Sequence, residues 1–227
     1  MKRLLCFFDG TWNKPDDQDG ATNVVKLHDA VLPVAPDGVR QVAHYEVGIA
    51  TEDLGRLTFA AGAIGYGVGD RIQSGYKFLP ETYEPGDEIH LFGFSRGAFQ
   101  ARSLGGLIAL AGLLRRERAG RIPELWGCYQ THKARPDAAL LASLRADAHH
   151  PVRVRCIGVW DTVGNLGLPF IGRSRLNQVL SFHNTELPPV VDVGLHALSI
   201  DEPRGPFSPT LWTKRRGAKL PDGQVIE

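Results

Sequence analysis

Glu88-Ile89-His90-Leu91-Phe92-Gly93-Phe94-Ser95-Arg96-Gly97-Ala98 is the stretch on which the fold turns. Residues 88 to 94 form a dense apolar run with β-favouring aromatic and branched side chains, introduced by the turn Pro85-Gly86-Asp87, which predicts a buried strand. From Gly97 to Leu114 the chain stays mostly apolar and carries the small residues Ala98, Ala101, Gly105 and Gly106, which predicts a helix packed closely on a sheet. Between strand and helix lies Gly93-Phe94-Ser95-Arg96-Gly97, a Gly-x-Ser-x-Gly pentapeptide. A serine forced into so sharp a turn presents its hydroxyl outward, and glycines on either side keep strand and helix from colliding. A helix-capping serine in a glycine-rich turn is the alternative. The strand-turn-helix context makes Ser95 the candidate nucleophile.

Elements of the same kind recur on both sides. Leu4 to Phe8 is a short apolar run that stops at Asp9-Gly10-Thr11, as a buried strand does on entering a polar loop. Thr22-Asn23 can cap a helix from Val24 to Val31, which Pro33 and Pro36 prevent from continuing. Gln41 to Val47 reads as a strand, and Asp70 to Tyr83 as a helix with Ile72, Tyr76 and Leu79 on one face. Residues 121 to 148 read as two helices broken around Pro136, and Val152 to Val159 as a further strand ending at Trp160-Asp161-Thr162-Val163-Gly164. Arg175 to Phe182 and Val190 to Ile200 read as helices, followed by a Pro- and Gly-rich tail from Pro203. The alternation predicts an α/β fold: a mainly parallel sheet flanked by helices, α/β-hydrolase-like, with residues 1–227 in a single domain.

The glycine-rich segment from Gly55 to Gly75 invites a nucleotide-loop reading. It fits neither established pattern, because Asp70 stands where the third glycine of Gly-x-Gly-x-x-Gly belongs and no Gly-Lys-Ser/Thr follows. With 26 Lys and Arg against 25 acidic residues the net charge is +1, which gives no field to gather nucleic acid. Cys6, Cys128 and Cys156 are too scattered for a disulfide framework or a paired Cys-x-x-Cys zinc site. The apolar run before Asp9 is shorter than the core of a signal peptide, and no stretch reaches the roughly 20 apolar residues of a transmembrane segment. A chain that is cytoplasmic as synthesised is expected, any export proceeding without a cleavable signal peptide.

A serine hydroxyl needs a base and an orienting carboxylate. In this fold class the chain order is Ser, acid, His. Asp161, at the carboxyl end of its strand, is the candidate acid, with an Asx turn as its structural alternative. Only His183 and His196 follow it, and neither has a flanking pattern that marks a catalytic base. Oxyanion stabilisation would use the Arg96 N–H, following the nucleophile, and an N–H of Gly10 or Thr11 if the two strand ends adjoin. Such chemistry requires no metal and no organic cofactor.

Several runs match one family in order. They are Phe8-Asp9-Gly10-Thr11-Trp12-Asn13, Thr22-Asn23-Val24, Gly86-Asp87-Glu88-Ile89, Gly93-Phe94-Ser95-Arg96-Gly97-Ala98, Gly158-Val159-Trp160-Asp161-Thr162-Val163-Gly164, His196-Ala197-Leu198 and Ile200-Asp201-Glu202. In these runs the chain resembles the uncharacterised α/β-hydrolase domain shared with type VI secretion phospholipase effectors of the Tle1-like group. The resemblance implies an ester hydrolase with phospholipid as its substrate class, Ser95 as nucleophile and Asp161 as acid. It also implies a catalytic histidine in a later Gly-x-His-Ser-Asp-x-Gly-Gly segment, which does not occur before Glu227. A domain incomplete at its C-terminus is therefore expected, since the tail Pro221–Glu227 reads as a turn entering a strand. Otherwise His183 or His196 substitutes as base, or the chain is a non-catalytic hydrolase-like binding module.

Overall fold

The computed structural model describes residues 1–10, 20–48, 63–132, 135, 137–162, 186–201, 210–213 and 223–227 of the chain. Its centre is a six-stranded sheet built from β1 (Lys2–Phe8), β2 (Arg40–Glu46), β3 (Glu88–Phe94), β6 (Val154–Trp160), β7 (Val191–Ala197) and β8 (Val225–Ile226). The strand order is β2-β1-β3-β6-β7-β8, and every neighbouring pair is parallel. A second, two-stranded antiparallel ribbon joins β4 (Leu113–Leu114) to β5 (Ala148–His149). The helices are α1 (Asn23–Asp29), α2 (Ala63–Thr82), α3 (Arg96–Ala111), α4 (Ile122–Thr131) and α5 (Ala138–Ala146). This is the expected α/β architecture.

The period of two along β1 divides its side chains between two apolar layers. Leu4, Cys6 and Phe8 join the larger core, which also holds Ile72, Tyr76 and Leu79 of α2 and Ala101, Leu104 and Ile108 of α3. Leu5 and Phe7 face the other way and pack with Val24 and Leu27 of α1, where Phe92 stacks on Phe7 at a ring separation of 5.2 Å. Burial on both faces explains why these strands read as nearly continuous apolar runs. Parallel pairing also brings the carboxyl ends of β2, β1, β3, β6 and β7 to one edge of the sheet. The strand order reverses at β1, which has β2 on one side and β3 on the other. Open α/β sheets bind ligands at such a place.

Three sequence expectations change. Val190 to Ile200 is not a helix: Val191–Ala197 forms β7, paired with β6 from Val154↔Val191 to Trp160↔Ala197. The branched residues Val190, Val191 and Val193 after Pro188-Pro189 suit a pleated strand better than a helix. The helix expected from Gly97 to Leu114 stops at Ala111, because Gly112 adopts φ 82° and turns the chain into β4. Tyr76 fixes that turn, its hydroxyl donating to Gly112 O at 2.9 Å and accepting from Leu114 N–H at 2.9 Å. The helix expected from Asp70 begins earlier, at Ala63, so Gly65, Gly67 and Gly69 lie within α2 rather than in a loop. The expected helix Arg175–Phe182 falls outside the described residues.

Candidate active site

Ser95 joins β3 to α3 with φ 55° and ψ −115°, a conformation that non-glycine residues seldom adopt. Its side chain makes no capping hydrogen bond to the helix. The turn is held from the neighbouring strand, since Ser95 N–H donates to Trp160 O at 2.9 Å. Neither flanking glycine has room for a side chain. A Cβ on Gly93 would lie 2.7 Å from Ala98 Cα and closer still to the Gly97 carbonyl. One on Gly97 would lie 2.6 Å from Asp9 O and closer still to the Phe8 carbonyl. The glycines therefore let β1, β3 and the start of α3 meet backbone to backbone.

Arg96 is the first residue of α3, where main-chain N–H groups lack intrahelical acceptors. Burial lowers its guanidinium pKa to about 10. Across the β1–β3 pair, Asp9 is buried and gathers three donors: Gly10 N–H to Oδ1 at 2.7 Å, and Thr22 Oγ1 and Tyr45 Oη to Oδ2 at 2.9 and 2.5 Å. Burial and the adjacent carboxylate raise the Tyr45 pKa, so that its hydroxyl stays a donor. The Gly10 N–H is thus turned toward Asp9. Thr11, the other oxyanion candidate from this loop, lies outside the described residues.

Beside Asp9, β2 ends in Glu46. This buried carboxylate takes His44 Nε2 and Arg71 at 2.8 Å each, while its carbonyl accepts Asp9 N–H at 3.1 Å. Burial pushes the Glu46 pKa up, but hydrogen bonds from His44, Ser74 and Arg71 outweigh it and the net direction is down.

Asp161 follows β6 and, like Ser95, has positive φ, 42°. Three hydrogen bonds tie this turn to β7 and its exit. Asp161 N–H donates to Ala197 O at 3.0 Å, Ser199 N–H donates to Asp161 Oδ1 at 2.6 Å, and Thr162 N–H donates to His196 Nε2 at 3.3 Å. Ser95 and Asp161 thus stand at the carboxyl ends of adjacent parallel strands. His196 is a strand residue facing the Asp161 turn, not a helix residue, and among the described residues it makes no hydrogen bond to Ser95. His183 lies outside the described residues.

Arg102 belongs to no motif in the sequence. It is buried on α3, donates to Thr210 O at 2.5 Å, and stacks over the Trp212 ring at 3.8 Å. Thr210 N–H in turn donates to Thr162 O at 2.7 Å, so the segment 210–212 is strapped across the end of β6. With Gln100 and Ser103 beside it on α3, the charge of Arg102 does not stand out in the sequence. Among the described residues no group of three His, Cys, Asp or Glu side chains forms a metal-binding cluster, and no helix is long and apolar enough to cross a membrane.

Residues 2–225 match the family model described as type VI secretion system, phospholipase effector Tle1-like, catalytic domain. The chain belongs to that family. An uncharacterized protein of Saccharomyces cerevisiae, YEL023C, is 30% identical to it over 234 aligned positions, which cover 93% of this chain and 33% of the yeast protein. A crystal structure of an uncharacterized protein from Pseudomonas aeruginosa aligns with a TM-score of 0.49 and 17% identity, over 99% of this chain and 40% of that one. The chain therefore spans about a third of the length of the yeast relative. The Ser95 turn and the Asp161 turn both fall within the residues matched by the Tle1-like catalytic domain.

Proposed function

We propose that this Tle1-like domain is a serine-dependent ester hydrolase of the lipase and phospholipase type, with Ser95 as nucleophile. The observation that carries this reading is the backbone of Ser95, held at φ 55° between β3 and α3 at the carboxyl edge of the parallel sheet. A turn that costs conformational energy and leaves the hydroxyl unused by the helix is expected where the hydroxyl attacks a substrate. Membership of a phospholipase effector family supports a lipid ester as the substrate class.

Ser95 Oγ attacks the ester carbonyl while a histidine accepts its proton. The carbonyl π electrons move onto oxygen, giving a tetrahedral oxyanion that the Arg96 N–H and the Thr11 N–H hold. Collapse expels the alcohol, protonated by the same histidine, and leaves an acyl-serine that water then hydrolyses. The Gly10 N–H is engaged by Asp9 Oδ1, which leaves Thr11 as the candidate for the second donor. Asp161 orients the histidine, its carboxylate steadied by Ser199 N–H. His196 is unsuited to the base role because its Nε2 is taken by the Thr162 N–H. His183 is the remaining candidate in this chain after Asp161.

A fluorophosphonate probe tests the nucleophile directly. Ser95 is expected to be the labelled residue, with S95A unlabelled and slowed roughly 10³-fold or more on a phospholipid substrate. Labelling that persists in S95A refutes the assignment. A full-length protein that neither labels nor turns over any ester favours the non-catalytic binding module instead.

A further inference from the structure

We propose that His196 is a positioning residue: its Nε2 captures the Thr162 N–H and so locks the strained Asp161 turn in the orientation the site uses. This rests on the reading of Asp161 as the orienting acid.

The peptide between Asp161 and Thr162 lies where the chain leaves β6 and can no longer follow the parallel ladder. Asp161 at φ 42° swings the next N–H away from strand geometry. A buried peptide N–H without an acceptor forfeits its hydration with no return, and β7 supplies that acceptor from a side chain, at 3.3 Å. The main-chain bond from Asp161 N–H to Ala197 O and the bond from Ser199 N–H to Asp161 Oδ1 grip the same turn on either side. The three contacts come from His196, Ala197 and Ser199, so one short segment of β7 and its exit sets the backbone, the carboxylate and the following peptide together.

The bond also fixes the form of the imidazole. A peptide N–H can only donate, so Nε2 must carry a lone pair, and the proton of the neutral ring sits on Nδ1. Nδ1 is buried and has no hydrogen-bond partner among the described residues. Protonating the ring would place a hydrogen on Nε2 against the Thr162 N–H and break the clamp. Burial holds the His196 pKa below its ordinary value, and the Arg102 guanidinium from α3 acts in the same direction, while the Asp161 carboxylate opposes both. From the β8 side, the Glu227 main-chain carbonyl accepts the His196 main-chain N–H at 2.8 Å. The described environment therefore favours the neutral ring that the clamp needs.

The experiment combines the ring's protonation with kinetics of the full chain. Nitrogen-15 histidine NMR is expected to place the His196 proton on Nδ1 at neutral pH, with the Thr162 amide shift moving as the ring titrates. H196L is expected to lose about ten- to a hundredfold in kcat with little change in KM, as misplacement of a catalytic group does. H196Q, whose side-chain oxygen can still accept from Thr162, is expected to restore most of that loss. Its kcat should depend on one fewer proton on the acid side than the wild type. A proton on Nε2, or an H196L protein with wild-type kcat, overturns the assignment. If H196L does not fold, the NMR result and the H196Q pH profile decide. Equal turnover by S95A and wild type overturns the serine reading and with it the catalytic purpose given to His196, whereas a proton on Nε2 overturns only the latter.

Discussion

Gly97 stands against the main chain of Phe8, so that the first turn of α3 rests on the end of β1 with no side chain between them. The obstacle a larger residue would meet there is backbone carbonyl, which cannot rotate aside as a side chain can. G97A is therefore expected to cost about 3 kcal/mol or more, at the upper end of overpacking changes. Urea denaturation of the purified variant measures this, and a loss of under about 1 kcal/mol would mean that β1 and α3 do not meet so closely.

Replacing Ser95 by glycine separates stability from chemistry. Glycine adopts positive φ without the Cβ penalty, so S95G is expected to be more stable than S95A by about 1 kcal/mol while neither reacts with a fluorophosphonate. Thermal unfolding of the two variants side by side checks the comparison. Equal stabilities would argue that the Ser95 turn stores no strain.

Tyr45→Phe removes one of the three donors gathered by buried Asp9. The carboxylate keeps Gly10 N–H and Thr22 Oγ1, so the expected loss is about 1–3 kcal/mol rather than unfolding. If the Asp9 cluster also sets the loop that follows β1, the rate of Ser95 labelling should fall in Y45F along with stability. Denaturation and labelling kinetics on one preparation give both numbers.

His90 and His196 have pKa values held below the ordinary histidine value, in each case chiefly by burial. For His90 the Glu88 carboxylate pulls the other way without prevailing. The unfolded chain then binds protons that the folded chain refuses. Their contribution to stability is complete above the unfolded value of about 6.5 and is lost as pH falls through the lower folded values. The urea midpoint should be lower at about pH 5.5 than at about pH 7.5, and the difference should shrink in H196Q.

Much of this was legible in the residues because the interior dictates them. Residues 88–94 read as a strand and form β3, and the glycines at 93 and 97 stand where a Cβ would meet backbone. Thr22 was readable as a cap, and its side chain accepts Val25 N–H at 3.1 Å. What stayed hidden depends on partners far away in the chain. Val190 to Ile200 carries apolar residues at spacings compatible with either period, and only pairing with β6 makes it a strand. His196 consequently looked like an ordinary helix histidine, and its bond to Thr162 could not be anticipated. The Gly10 N–H donates to Asp9 Oδ1, a contact between neighbours that the residue types alone do not announce. Arg102 is buried because Thr210, Leu211 and Trp212 come to it, which no local pattern in α3 announces.

The place of β1 in the strand order has a consequence for biosynthesis. A strand made before all of its neighbours ends up in the interior of the sheet, flanked by β2 and β3 and covered on both faces. Until α3 has been synthesised, Leu4, Cys6 and Phe8 have α2 but not the helix that completes their cover, and parallel pairing with β3 must wait for the intervening helices. A nascent chain stalled before α3 therefore keeps part of the apolar face of β1 uncovered and offers it to chaperones and to other chains.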